Sequence, residues 1–205
     1  MAHYIGPKAR INRRLGERIY DSKGAERAAN RRYTPPGQQS QQRRRRVSDY
    51  GRSLIEKQKV RHYYGLSQKQ LKRFFMMAKR IKGNTGQNLL ILCERRLDNI
   101  VWKAGLARSR SQARQSVSHG HLLVNGRRTT VPSFLVKPDD VIEVRKRANL
   151  QKIYTNLTEE IDRPGSGFLA VEPKDLKVKV LRQPDADDVG LPVNVNQVVE
   201  FLGRG

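Results

Sequence analysis

The chain has 205 residues, enough for one or two domains, and carries 42 Lys and Arg against 19 Asp and Glu, a net charge of +23 with a pI near 10.8. A compact body so charged repels itself and calls for a polyanionic partner; nucleic acid is the usual one, its phosphates giving affinity through counterion release. No apolar run approaches the roughly 20 residues that span a bilayer, Met1-Ala2-His3-Tyr4 lacks the apolar core of a secretory signal, and a lone Cys93 excludes an intrachain disulfide and a multi-cysteine zinc site.

The charge is uneven. Residues 1–50 hold 13 basic and 4 acidic side chains, residues 51–150 hold 22 and 6, and residues 151–205 hold 7 and 9. The first 150 residues are therefore expected to carry the nucleic-acid face, and the remainder to pack or to touch protein.

In chain order, Ile11-Asn12-Arg13-Arg14-Leu15 predicts a short basic helical turn at most. From Asp21 to Arg46 little is apolar, and Tyr33-Thr34-Pro35-Pro36-Gly37 interrupts any regular element. The polar tract Gln38–Gln42 and the run Arg43-Arg44-Arg45-Arg46 complete an arm expected to be disordered in isolation. A helix is predicted over 49–64. Ser67 with Gln70 is a capping-box pattern, and behind it Leu71, Phe74, Phe75, Ala78 and Ile81 share one helical face. After Gly83-Asn84-Thr85-Gly86 a second stripe runs through Leu90, Cys93, Leu97, Ile100, Val101 and Ala104, read as one helix closed by Gly105.

Ser109 with Gln112 is another capping-box pattern, opening a helix from Arg110 to His119 that Gly120 stops. At 100° per residue, Arg110, Arg114, Ser118, Ser111 and Gln115 fall within an arc of about 140°. Leu122-Leu123-Val124, Asn125-Gly126 and Arg127-Arg128-Thr129-Thr130 then read as a hairpin, since a type I′ turn needs positive φ at both central residues. Val141–Val144 is a further strand after the turn Lys137-Pro138-Asp139-Asp140. Beyond Ile153 the pattern weakens; Leu176–Val180 alternates like a strand, and 193–201 is apolar enough to pack.

A short basic helix beside a small sheet suits RNA, whose narrow major groove leaves backbone, 2′-hydroxyls and shape to be read. Arginine grips phosphate through two points. Arg108, Arg110, Arg114, Arg127 and Arg128 are expected to form one patch, with Ser111, Gln112, Gln115, His119, His121 and Asn125 adding contacts. No acid lies between Val101 and Pro138, whereas a merely solvated face mixes signs.

The residues Arg96-Leu97-Asp98-Asn99-Ile100-Val101, Gly105-Leu106-Ala107-Arg108-Ser109-Arg110-Ser111-Gln112-Ala113-Arg114-Gln115, His119-Gly120-His121, Val124-Asn125-Gly126-Arg127-Arg128 and Lys137-Pro138-Asp139-Asp140-Val141-Ile142 resemble the RNA-binding domain of the ribosomal protein S-four family. That domain also occurs in some pseudouridine synthases and tyrosyl-tRNA synthetases. Tyr4-x-Gly6-Pro7, Tyr33-x-x-Pro36-Gly37-Gln38, Arg46-x-Ser48-x-Tyr50, Glu56-Lys57-Gln58-Lys59-x-Arg61, Tyr64-Gly65 and Val199-Glu200-Phe201 extend the resemblance to the bacterial-type ribosomal family itself. It implies an α+β protein: a mostly helical domain over 1–95 (basic arm 1–47, helices 48–95, with 190–205 returning to it), an RNA-binding domain over 96–156, and an extension over 157–189. It further implies early binding to 16S rRNA with no enzymatic activity, no cofactor and no membrane. Neighbouring small-subunit proteins (the third, fifth and twelfth), and messenger RNA (mRNA) near its entrance path, are the other partners. Arg13, Arg14, Lys57, Lys59 and Arg61 join the expected rRNA contacts, and Arg43–Arg46 the mRNA path. Some relatives carry a four-cysteine zinc site; here Ala9 and Asn12 stand at two of its positions, so no metal is expected. The family's Pro-Gly-Gln-His-Gly is here Pro36-Gly37-Gln38-Gln39-Ser40.

Two other classes compete. An RNA-modifying enzyme needs a catalytic module that residues 1–95 and 150–205 do not supply, and a free regulator of mRNA would sediment apart from ribosomes. Cys93 reads as a core thiol, and His119 and His121 as helix-ending or RNA-touching rather than metal-binding, since a zinc site wants four ligands. Arg43–Arg46 as a nuclear import signal, and Asp139–Asp140 as catalytic acids, are the weaker readings. The setting expected is the small subunit of a cytoplasmic ribosome, with an organellar ribosome as the alternative.

Overall fold

The computed structural model describes residues 4–20, 22–32, 34–37, 47–161 and 166–204. Tyr33, Gln38–Gln42 and Arg43–Arg46, on which the expected arm rests, lie outside the described residues. The described residues form nine α-helices and a five-stranded antiparallel sheet, an α+β protein as the sequence predicts. They divide into two compact units, residues 1–89 with 191–205, and residues 90–190.

In the first unit, α1 (Lys8–Leu15) is longer than the single turn expected. Asn12 is buried and exchanges two hydrogen bonds with the Tyr20 backbone, at 3.1 and 3.0 Å, which secures the helix to the chain that follows. Where no regular element is expected, the structure has α2 (Lys23–Arg31). The Ser22 hydroxyl accepts from the Ala25 amide, and Ala25, Ala28 and Ala29 are strong helix formers. An apolar stripe is not needed when cap and propensity agree. Ser48 caps α3 (Asp49–Tyr63) in the same way.

The capping box at α4 (Gln68–Arg80) is present in both halves: Ser67 Oγ accepts from the Gln70 amide at 3.2 Å, and Gln70 Oε1 accepts from the Ser67 amide at 3.0 Å. Leu71, Phe74, Phe75 and Ala78 are buried as predicted. Ile81 is not; the helix ends at Arg80, Ile81 is extended, and its side chain is 45% exposed. The terminal apolar run forms α9 (Val195–Gly203), packed on α3 and α4 with Val198 and Leu202 buried. Its entry is fixed by the Asn194 amide, which donates to Glu56 at 2.8 Å.

The stripe read as one helix is two, α5 (Thr85–Glu94) and α6 (Leu97–Lys103). Arg96 is extended and bridges Leu135; the Leu97 and Asp98 amides donate to Phe134 and Pro132, and the Val136 amide to Arg95. The break is stabilised inside the core, where fully buried Arg96 meets Asp98 through two hydrogen bonds. Periodicity cannot show this, because the apolar residues keep helical spacing across the break.

In the second unit α7 (Arg110–Ser118) leads to β1 (Leu122–Val124) and β2 (Arg127–Arg128). The turn has the predicted positive φ, 51° at Asn125 and 75° at Gly126. Thr129 and Thr130, read as strand, lie outside β2. The sheet continues through β3 (Val141–Val144), β5 (Lys177–Val180) and β4 (Leu169–Glu172), in the order β2-β1-β3-β5-β4. Register pairs Val124 with Ile142 and Ile142 with Val178. Leu122, Ile142 and Val178 are at most 1% exposed, each burial stabilising by about 1.5–3 kcal/mol. Strand β4 and helix α8 (Ala148–Glu160) are not legible in the sequence as read above. Tyr154 and Leu157 of α8 join Phe168 and Leu169 in the same core.

Candidate nucleic-acid interface

The predicted cations separate into those that hold the fold and those that face outward. Lys57 is 4% exposed; its ammonium donates to Gln68 at 3.2 Å and lies 4.8 Å from the centre of the Phe201 ring. Burial, then the neighbouring Arg61, holds it below the usual lysine value. Lys59 is also buried, paired with Glu56 at 2.8 Å and Glu17 at 3.6 Å. Arg61 donates to the Leu66 carbonyl and to Gln58. Arg13 donates to the Thr34 and Pro35 carbonyls at 2.6 and 3.4 Å, fastening α1 to the segment after α2. Among these five, Arg14 alone is exposed.

On α7 the Ser109 hydroxyl accepts from the Gln112 amide at 3.3 Å, but the Gln112 carboxamide accepts from the Arg108 amide rather than from Ser109. Only half of the predicted capping box therefore forms. The arc of polar residues is real, yet its two arginines lean on α6. The Arg110 guanidinium stacks over the Trp102 ring at 3.6 Å and donates to Asn99 at 3.0 Å. Arg114 reaches Asp98 at 3.5 Å and is about four-fifths buried. Such packing fixes the planes of both groups and leaves less of each side chain to solvent. Exposed Arg108 is paired with Glu160. Ser111 and Gln112 are half-buried, and Gln115 is exposed.

The C-terminal end of α7 collects the second set. Arg127 and Arg128 are exposed on the hairpin, and Arg128 donates to the His119 carbonyl at 3.4 Å. Arg145, from beyond β3, donates to the Gly120 carbonyl at 3.3 Å. Cations gather here because the last carbonyls of a helix are negative and lack intrahelical partners. Gly120 has φ of 67°, a left-handed conformation that favours glycine, and a side chain there would displace the flexible Arg128 guanidinium. His121 Nδ1 shares a 3.2 Å hydrogen bond with the Tyr154 hydroxyl. Burial, then the charges of His119, Arg145 and Arg147, lowers its pKa below the ordinary histidine range. Asn125 is a turn residue, donating to Asp140 and accepting from the Val141 amide. Arg110 and Arg128 thus mark opposite ends of α7, about 13 Å apart at 1.5 Å per residue; the patch is a band along the helix rather than one cluster.

Two sets escaped the sequence reading. Lys69, Lys72, Arg73, Lys79 and Arg80 are exposed on α4, opposite its buried stripe, within about 120° of arc. Their i, i+3, i+4 spacing is present in the sequence, interleaved with the apolar stripe. Arg145 and Arg147 could be found only from the sheet, which brings the end of β3 beside the end of α7.

Cys93 is fully buried, and burial pushes its thiol up, away from the reactive thiolate. Among the described residues no three His, Cys, Asp or Glu are grouped to hold a metal ion, and no helix is long and apolar enough to cross a membrane.

Residues 3–94 match the model of the ribosomal protein S4/S9 N-terminal domain, and residues 95–142 that of the S4 domain. Over the full length of both chains, the protein is 48% identical to small ribosomal subunit protein uS4 of Rhodopirellula baltica. It is 46% identical to that of Thermus thermophilus and 44% to that of Roseiflexus castenholzii, again with both chains fully covered. With two exposed cationic faces carried on helices and a hairpin, and with family matches that run in sequence over residues 3–142, the chain belongs to the ribosomal protein S4 family.

Proposed function

We propose that this chain is a structural, non-enzymatic component of the small ribosomal subunit that binds 16S rRNA early in assembly and fixes the angle between adjacent RNA helices. The observation that carries the reading is the pair of exposed cation sets, on α4 and at the α7–hairpin end. Each is held by a packed element with its apolar side turned inward, and membership of a ribosomal protein family supports rRNA as the polyanion they meet. Arg108, Arg110, Ser111, Gln112, Arg114, Gln115, His119, His121, Arg127 and Arg128 line the rRNA face of the second unit. Arg114 acts mainly by holding α7 to α6, and Asn125 by shaping the hairpin. Arg14 and the α4 cations serve the first unit, where Lys57, Lys59, Arg61 and Arg13 support the fold beneath. We further propose, on the family resemblance, that Arg43–Arg46 serve the mRNA entrance path, where the protein would contribute to accuracy. The same resemblance supports the third, fifth and twelfth small-subunit proteins as its proposed neighbours and a cytoplasmic ribosome as its proposed setting.

Footprinting on protein-free 16S rRNA tests this reading. Protection should centre on a multi-helix junction, and affinity should fall about 10³–10⁵-fold between 50 and 200 mM salt if six to ten phosphates are contacted. Equal binding to an arbitrary duplex of the same length would overturn it.

A further inference from the structure

At the end of α7, beside the exposed cations, the surface folds into a hollow. His119 closes α7, His121 precedes β1, Arg145 and Arg147 follow β3, and the first turn of α8 contributes Asn149 and Leu150. Together they wall an open hollow of about 550 Å³, inside the range of roughly 300–1,000 Å³ typical of small-ligand sites. No carboxylate lines it among the described residues.

Its chemistry has two sides. Arg145 is fixed by the Gly120 carbonyl, its backbone amide donates to the His121 carbonyl at 2.9 Å, and exposed Arg147 stands two residues on. These two supply fixed positive charge. The exposed His119 ring sits edge to face with His121 at 5.7 Å, and half-buried Leu150 offers an apolar surface. His121 is itself anchored by Tyr154. A paired RNA helix presents a convex row of phosphates, which fits a band of cations better than a hollow. An unstacked nucleotide presents one phosphate and one flat base, and such bases stack on aromatic side chains.

We propose that this hollow seats a single RNA nucleotide turned out of its helix, with the phosphate on Arg145 and Arg147 and the base against His119 and Leu150. The proposal deepens the rRNA-binding reading and rests on it for the source of the nucleotide. It turns part of the interface from a reader of helix backbone into a reader of an irregularity, such as a bulge or junction.

The test is a titration of the full chain with uridine and adenosine 5′-monophosphates, followed by NMR of the His119 and His121 imidazoles and the Leu150 methyls. Inorganic phosphate at equal concentration is the control. The nucleotides should move all three sets of signals, and phosphate should leave the Leu150 methyls in place. Arg147→Ala, an exposed substitution, should weaken the response about tenfold, the loss of one charge-assisted contact. The same variant should lose preference for an RNA hairpin with one bulged nucleotide over its fully paired counterpart. No response to either nucleotide, or the same response to phosphate alone, overturns the proposal. A nucleotide response in a chain that protects no site on 16S rRNA would sustain the hollow and sink the ribosomal reading alone.

Discussion

Helices α3 and α4 are neighbours in sequence, both rich in lysine and arginine, yet α3 buries two of its cations and α4 keeps its own outside, although Arg52 near the start of α3 is exposed. On α3, Lys57 and Lys59 are buried against Gln68, Phe201, Glu56 and Glu17. On α4, Lys69, Arg73, Lys79 and Arg80 are exposed. The difference lies in the packing: α3 takes contacts from α1 and α9, so its polar positions meet protein on more than one side. Helix α4 has a clean apolar stripe and a clean basic one. The helix with the well-separated apolar face keeps its cations outside, whereas the one with the untidy face draws Lys57 and Lys59 into the packing.

The contrast is sharpened most by Asp98, which sits between Arg96 and Arg114 in the second unit. Asp98→Ala leaves fully buried Arg96 without its carboxylate and should cost about 3–5 kcal/mol of stability, read as a lower urea midpoint. An unchanged midpoint would mean that the buried pair does not hold the break between α5 and α6. Next is the combined Lys69→Ala, Arg73→Ala, Lys79→Ala and Arg80→Ala variant. Four lost phosphate contacts correspond to a slope change of about 3.6 in log K against log salt, or about a thousandfold in affinity at 0.15 M. Stability should move by less than about 0.5 kcal/mol per site. Unaltered salt dependence would remove α4 from the interface.

Lys57→Ala should do the reverse. Losing the Gln68 hydrogen bond and the Phe201 contact should cost about 1–3 kcal/mol, with the salt slope for rRNA unchanged; a flatter slope would place Lys57 on the RNA. The smallest effect concerns His62, which shares a 3.2 Å hydrogen bond with the Tyr20 hydroxyl. Burial, then Arg61, Arg14 and Lys57, lowers its pKa from 6.5 to about 4. The unfolded chain takes up the proton first, so this contribution is intact above pH 6.5 and is lost as pH falls from 6.5 to about 4. Thermal melts over that window should show the wild type losing more stability than His62→Gln. Parallel loss would make His62 a bystander.

Much of this was legible in the sequence because it is local. The Ser67–Gln70 box, the Asn125-Gly126 turn and the α4 stripe each depend on residues a few positions apart, and a few consecutive side chains specify them. Charge was legible too, since +23 in 205 residues requires a polyanion whatever the fold. The helix α2 was local as well, but its signal is a cap with alanines rather than a stripe.

What tertiary structure decided was the destination of each side chain. The split between α5 and α6 depends on backbone hydrogen bonds to Pro132 and Phe134, more than thirty residues ahead. The inward lean of Arg110 depends on Trp102, and that of Arg114 on Asp98. The hollow depends on the pairing of β1 with β3, which brings His121 beside Arg145. Composition and spacing determined that this chain would be cationic, helical in its first half and built around a hairpin in its second. Which cations remain outside was set by packing, because a charge stays buried only where a partner offsets the loss of water, whether near in sequence, as Asp98 is to Arg96, or distant, as Phe201 is to Lys57.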